Sequence, residues 1–313
     1  MTHADENAGG NSSGGNSMSG KGAGANTAGA PGARLRDLLT QGGLIVAPGV
    51  FDGLSAHLAR RTGFRAAYLT GAGVAASGFG LPDIGLVTGS EMAERAGLVS
   101  SVLGGVPLIA DADTGYGSAL NVVRTVRAYE RAGVAAIQLE DQTFPKRCGH
   151  LPGKEVIGQA EFLARLGAAL EARTDALIVA RTDARAVLGL SAAIDRANAY
   201  AQAGADVIFV EAPQSDAEVA QIAKEVDAPL LINLVQGGLT PDGGPQRLQE
   251  LGYAIAIYPA NLLMAAAKGM IAALQDLGGT PPEVTATGIE ALFQLVGLRE
   301  WSVIGDAWTP TAS

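Results

Sequence analysis

Pro107-Leu108-Ile109-Ala110-Asp111-Ala112-Asp113-Thr114-Gly115-Tyr116-Gly117 is the stretch on which the reading of this chain turns. An apolar run ends in two carboxylates one residue apart, and a glycine-rich turn follows. A buried strand that delivers Asp111 and Asp113 to its C-terminal end reads this way. The pattern returns in Ala135-Ala136-Ile137-Gln138-Leu139-Glu140-Asp141, again an apolar run ending in acids. Working outward, similar short runs recur at Leu44–Pro48, Ala66–Thr70, Leu177–Thr182, Asp206–Glu211, Pro229–Leu234 and Ala254–Pro259. Between most of them lie helical patterns, such as Asn121–Ala132, Ser191–Ala203 and Asp216–Val226. Gly133, Gly204 and Gly252 follow helices directly, where a C-terminal cap favours glycine. Strands apolar on both faces that alternate with helices imply a parallel sheet. Eight such units imply an α/β fold of the (β/α)8 TIM-barrel type.

A barrel places its chemistry at the C-terminal ends of its strands. Thr70 and Gly71 follow the second run, Asp111 and Asp113 the third, and Glu140 ends the fourth. Arg181 and Asp183 close the fifth run, Glu211 the sixth and Asn233 the seventh. Helix capping explains any one of these polar residues, but not all six positions together. Clustered carboxylates suit a hard cation such as Mg²⁺, which takes one or two of them directly and keeps several waters. Asp83, in Leu81-Pro82-Asp83-Ile84-Gly85, is a further candidate ligand.

Lys146-Arg147-Cys148-Gly149-His150 contains the chain's only cysteine and one of its three histidines. Two cations beside the thiol are expected to lower its pKa, because positive charge favours thiolate. A competing signal is Gly71-Ala72-Gly73-Val74-Ala75-Ala76, which matches the G-x-G-x-x-A pattern of dinucleotide-binding turns. That pattern needs a helix starting at once and then a second strand. Gly78, Gly80, Pro82 and Gly85 are expected to interrupt any helix here, and no strand precedes Glu91. Backbone N–H groups close to an anionic ligand are the better reading of Gly71–Gly73.

The chain is 48% hydrophobic and 17% charged, with a net charge of −9. That balance argues against non-specific nucleic-acid binding and against attachment to an anionic membrane. No apolar run approaches the roughly 18 residues of a membrane span. A single cysteine excludes an intrachain disulfide and suits a reducing, cytoplasmic location. Residues 1–33 are rich in Gly, Ser, Asn and Ala and read as a disordered N-terminal tail. The tail lacks the cationic start and apolar core of a secretory signal.

Asp111-Ala-Asp-Thr-Gly-Tyr-Gly, Glu140-Asp-Gln and Lys146-Arg-Cys-Gly-His together resemble the isocitrate lyase/phosphoenolpyruvate mutase superfamily. The resemblance covers residues 34–275 as a barrel domain and leaves 276–313 as a C-terminal helical extension. It implies a (β/α)8 barrel whose eighth helix is swapped between neighbours, hence a homo-oligomer, usually a tetramer. It further implies Mg²⁺, with Mn²⁺ as an alternative, held most directly by Asp111 and largely through waters by Asp83, Asp113 and Glu140. Thr70, Gly71 and Ala72 match the segment that grips the α-oxo carboxylate of a small carboxylate substrate. Gly149, Arg181, Glu211 and Asn233 would line the same pocket. Cys148 matches the general acid of the lyase branch, carried with Lys146 and His150. For the base, Tyr68 or a metal-linked carboxylate is the candidate. The implied reaction cleaves a 2-hydroxy di- or tricarboxylate, of 2-alkylmalate or 2-methylisocitrate type, into a 2-oxo acid and a carboxylate. A carboxyphosphonoenolpyruvate-type phosphonomutase, or oxaloacetate decarboxylase or hydrolase chemistry, is the alternative. Asn233-Leu-Val-Gln-Gly-Gly is similar to the Asn-x-x-Glu-Gly-Gly of dimethylmalate lyase and carboxyphosphonoenolpyruvate mutase, with Gln236 in place of Glu.

Overall fold

The computed structural model describes residues 29–151, 153–283 and 287–308. Residues 1–28, most of the expected tail, lie outside the described residues. Eight strands pair in sequence order, all parallel, and β8 pairs back with β1 to close a barrel. They are β1 (Ile45–Val50), β2 (Ala67–Leu69), β3 (Leu108–Asp111), β4 (Ala136–Glu140), β5 (Leu177–Thr182), β6 (Val207–Val210), β7 (Leu230–Asn233) and β8 (Ile255–Tyr258). Each lies within a residue or two of its expected run.

The helices are α1 (Pro31–Gln41), α2 (Gly53–Arg61), α3 (Gly71–Val74), α4 (Gly89–Leu103), α5 (Ala119–Arg131) and α6 (Gln159–Ala172). There follow α7 (Ala184–Leu188), α8 (Leu190–Gln202), α9 (Asp216–Glu225), α10 (Gly244–Glu250) and α11 (Asn261–Asp276), then α12 (Ile289–Leu295) and α13 (Leu298–Trp308). Gly133, Gly204 and Gly252 take φ of 83°, 104° and 88°, the left-handed conformation expected of them.

Alternation along the strands sorts the core into two layers. One parity forms an inner cluster that includes Ile45, Ala47, Tyr68, Ile109, Val179, Phe209 and Ile257. The other parity packs outward against the helices, with Val50, Leu69, Ala110, Ile137, Ile178 and Ile232. This is the filled interior of a barrel, not a pore.

Two expectations need correction. Helix α1 begins at Pro31, inside the segment read as tail, because Leu35 is needed to plug the N-terminal end of the barrel. Its free N–H groups at Gly32 and Ala33 are satisfied by the Asp175 carboxylate. A helix also starts at once after Thr70, against expectation. It is one turn long, runs into a π-helical turn at Ala75–Phe79 and ends at Gly80 with φ 63°. No strand follows it before Glu91, so the dinucleotide-binding pattern is incomplete in space as well.

Among the described residues, α12 and α13 follow the barrel. Ile289, Leu292, Phe293 and Leu298 are buried in the outer core. The eighth barrel helix, α11, is different. Only Leu263 and Met264 are buried, whereas Met270, Leu274 and Leu277 are 60%, 61% and 84% exposed. Among the described residues, no helix is long and apolar enough to cross a membrane.

The barrel wall has little slack where β1 meets the end of β8. A Cβ on Gly49 would overlap the Pro259 backbone, whereas one on Gly167 in α6 meets nothing. Gly49→Ala is therefore expected to lower the unfolding free energy by about 1–3 kcal/mol. Gly167→Ala should raise it by about 0.5–1 kcal/mol. Urea unfolding of both variants checks the contrast.

Candidate active site

Strand β3 ends at Asp111, and the turn after it holds Asp113 at a φ of 46°. That strained conformation turns the second carboxylate back toward the first. Asp111 Oδ1 accepts from Asp113 N at 3.0 Å and from Gln138 Nε2 at 3.3 Å, and Oδ2 accepts from Gly71 N at 3.3 Å. Tyr129 O–H donates to the Asp111 carbonyl at 2.9 Å. Glu140 reaches in from the end of β4. One oxygen of each of Asp111, Asp113 and Glu140 lies within 4.8 Å of the others, and all three residues are buried. Glu140 Oε1 has no hydrogen-bond partner among the described residues. An orphaned buried carboxylate oxygen facing two further carboxylates fits a hard divalent cation. Asp83, whose carboxylate pairs with Lys146 Nζ, stands outside this trio.

Charge crowding shows in the acids themselves. Burial pushes Asp113 up to about 7, with Lys146 opposing and Asp111 and Asp83 adding to the rise. Burial likewise holds Glu140 well above the usual carboxylate range, against the pull of Arg181. Lys146 Nζ lies 2.8 Å from Asp113 Oδ1 and pairs with Asp83. Burial works against its ammonium, but the surrounding acids outweigh it and keep it charged.

Arg181 comes from the end of β5. Its Nε and NH2 donate to Asp183 at 2.8 and 3.1 Å, a two-pronged grip that fixes the guanidinium plane. NH1 lies 3.4 Å from Glu140 and 3.6 Å from Glu211, and the group sits 5.1 Å over the Phe209 ring. Asp141, next to Glu140, faces the other way. It accepts from Thr182 Oγ1, Arg196 NH1, Tyr200 O–H and Asp183 N at 2.7–2.9 Å. It is a structural acid behind the site.

Cys148 is 8% exposed and lines a cavity of about 40 Å³ with Tyr68, Thr70, Asp111, Arg181 and Asn233. The expected lowering of its pKa is overturned. Burial first, and then Asp83, push the thiol up to about 12, outweighing the opposite pull of the His150 N–H and of Lys146. The thiol is thus a neutral proton donor at physiological pH. His150 Nδ1 accepts from Leu239 N at 3.2 Å, which leaves the proton on Nε2, 3.3 Å from Glu211 Oε1. Burial lowers the His150 pKa despite Glu211, so the ring is neutral too. Asn233 Nδ2 donates to both Glu211 oxygens at 3.3–3.4 Å.

The structure gathers most of the expected residues. Thr70, Ala72, Lys146, Gly149, His150, Arg181 and Asn233 line the cavity with Cys148, while Gly71 is turned toward Asp111. Tyr68 is present, but its O–H donates to Gln138 Oε1 at 2.9 Å and burial raises its pKa well above 10. It is a poor base and a good prop for Gln138. Sequence reading missed Gln138, Lys154 and Ile289. Gln138 was legible as the one amide in an apolar strand. Lys154 and Ile289 carried no local signal.

Carboxylates that could hold a metal ion converge at the rim of a parallel barrel, beside a fixed guanidinium and a buried thiol, and form a site suited to a small anion. The chain belongs to the phosphoenolpyruvate phosphomutase family, whose model matches residues 35–277. It is 46% identical over 241 residues to the 2,3-dimethylmalate lyase of Eubacterium barkeri, covering 76% of this chain and 83% of that one. It is 47% identical over 247 residues to the 2-methylisocitrate lyase of Aeropyrum pernix, covering 79% and 80%. A crystal structure of 2,3-dimethylmalate lyase superposes with a TM-score of 0.78 at 38% identity, over 89% of this chain and 96% of that one.

Two measurements check this site. The rate of Cys148 alkylation by iodoacetamide should keep climbing through pH 10, because thiolate accumulates only as pH nears the raised pKa; a plateau near pH 8.5 would mark an ordinary thiol. Asp141→Ala should cost about 3–5 kcal/mol in unfolding free energy, because it strands the Arg196 guanidinium.

Proposed function

We propose that this chain is a Mg²⁺-dependent carbon–carbon lyase. It cleaves a 2-hydroxy carboxylate of the 2-alkylmalate or 2-methylisocitrate type into a 2-oxo acid such as pyruvate and a carboxylate. The observation that carries this reading is the buried Cys148 thiol lining the same cavity as Asp111 and Arg181; burial raises its pKa, which keeps it a proton donor. Asp111, Asp113 and Glu140 would hold the cation, with Mn²⁺ accommodated by the same oxygens. When bound, it supplies Lewis-acid stabilisation of the substrate's ionised 2-hydroxyl.

The protein's own groups divide the remaining work. Arg181, held in plane by Asp183, faces the negative charge of the oxo-acid half. Thr70 and Ala72 frame the carboxylate end. A carboxylate of the Asp111–Asp113–Glu140 group takes the 2-hydroxyl proton, and breaking C2–C3 then leaves one fragment as the 2-oxo acid and the other as the enolate of a carboxylate. Cys148 Sγ–H gives its proton to that carbon. The closed cavity keeps bulk water from competing for the carbanion. Neutral His150, oriented by Leu239 N–H and Glu211, supports the segment that carries the thiol. Val235, Pro259, Leu263 and Ile289 add apolar lining, which suits an alkyl substituent on the substrate.

The exposed apolar length of α11 supports a homo-oligomer, in which this helix packs on a neighbouring copy, with a tetramer as the expected assembly. The lone buried thiol suits a reducing compartment, and we place the enzyme in the cytoplasm.

Incubation of the protein and Mg²⁺ with 2,3-dimethylmalate and, separately, 2-methylisocitrate should yield pyruvate, read through a coupled dehydrogenase. Failure of both substrates would overturn the lyase reading. Cys148→Ser is expected to lower kcat by about 10²-fold or more, since a hydroxyl is a far weaker acid. Mg²⁺ should raise the Tm of the native chain and leave that of Asp111→Ala unmoved, and activity of the variant should be lost together with that response.

A further inference from the structure

The segment that carries Cys148 departs from the end of β4 and returns before α6. Its base is closed by an antiparallel bridge between Gln142 and Val156 and by Thr143 N donating to Glu155 O at 2.9 Å. Gln142 grips Arg147 from both sides, donating to its carbonyl at 2.9 Å and accepting from its N–H at 3.0 Å. Cys148 N donates to Asp83 O at 3.2 Å. Beyond these contacts, one side chain spans from the returning limb to the tip. Lys154 Nζ donates to Gly149 O at 2.6 Å and to Asp183 Oδ1 at 2.8 Å.

Both ends of that link are buried, with side-chain exposures of 2% for Lys154 and 0% for Asp183. Asp183 is the same carboxylate that fixes Arg181 through two hydrogen bonds. The tip itself lies hard against this floor, because a Cβ on Gly149 would overlap Arg181 NH2 and the Glu211 side chain. A continuous polar path therefore runs from Arg181 through Asp183 and Lys154 to the carbonyl of the residue after Cys148. A buried ammonium is costly unless its donors are satisfied. Lifting the tip would strip Lys154 of its Gly149 acceptor, so the charge penalises any displaced position of the thiol.

We propose that Lys154 is a positioning residue that ties the tip of the Cys148 segment to the Arg181–Asp183 pair, setting where the thiol stands relative to the guanidinium. Its consequence for turnover rests on Cys148 being the acid, as proposed above. Its consequence for thiol burial does not. Arg181 and Asp183 remain paired when Lys154 is replaced by a neutral side chain, so the link can be cut without stranding either charge.

The test uses the full chain as Lys154→Met and as Lys154→Gln, which keeps a shorter donor. Two readouts are compared with the native protein: the rate of Cys148 modification by a disulfide reagent under native conditions, and kcat and KM on the alkylmalate that the native protein cleaves. Removing a charge-assisted hydrogen bond should speed thiol modification by about tenfold or more and lower kcat by a similar factor. KM should stay within about threefold, because the groups that hold the substrate are untouched. Lys154→Gln should fall between, and it carries the comparison alone if Lys154→Met does not fold. Unchanged thiol reactivity in the folded variants would overturn the proposal, even with a lowered Tm, since Lys154 would then be no more than a counter-charge for Asp183. Faster thiol modification, in a protein whose native form cleaves no alkylmalate, would uphold the link and sink the lyase reading instead.

Discussion

Everything at the catalytic rim depends on one constraint: four carboxylates are buried close together, and the protein supplies only part of the charge that would balance them. Asp83, Asp111, Asp113 and Glu140 are all nearly inaccessible. Lys146 answers Asp83 and Asp113, and Arg181 reaches Glu140. Burial first, with neighbouring acids adding to it, raises the pKa of Asp113 and of Glu140 against the pull of Lys146 and Arg181. Such a cluster is expensive without a compensating cation, and Asp111, Asp113 and Glu140 lie close enough together that they could hold one.

This constraint also explains why the cysteine behaves as it does. Lys146 sits two residues before Cys148, close enough in sequence to acidify it. In space its ammonium is committed to Asp113 and Asp83, and Asp83 in turn raises the thiol's pKa. Burial, with Asp83 adding to it, therefore keeps the thiol protonated. A protonated donor is what quenching a carbanion requires, whereas a thiolate would have nothing to give. The same economy appears behind the site. Asp141 and Asp183 are adjacent in space, yet Asp141 serves Thr182, Arg196 and Tyr200 while Asp183 serves Arg181 and Lys154. One acid holds the scaffold and the other holds the site.

Much of this was legible in the order of residues. Apolar runs at a regular beat, with glycine after the helices, specify alternating strands and helices, and strand parity sorts inner from outer side chains. Because a parallel barrel exposes only the strand ends, the sequence alone places Asp111, Glu140, Arg181 and Asn233 at one rim. The helix at Gly71 and the early start of α1 were not legible. The first is one turn held by Thr70 and flanked by glycines that read as breakers. The second is fixed by Asp175, a partner 143 residues away from Gly32.

The sequence by itself determined the barrel, its polar rim and the identity of most groups on it, because those follow from local periodicity and short motifs. Only the tertiary structure decided how the charges pair. Which acid Lys146 neutralises, whether Cys148 is thiol or thiolate, that Tyr68 props Gln138, and that Lys154 reaches Gly149 and Asp183 all depend on distances across the barrel. Electrostatic energy in a buried site varies with separation and desolvation, and neither quantity is written in the order of the residues.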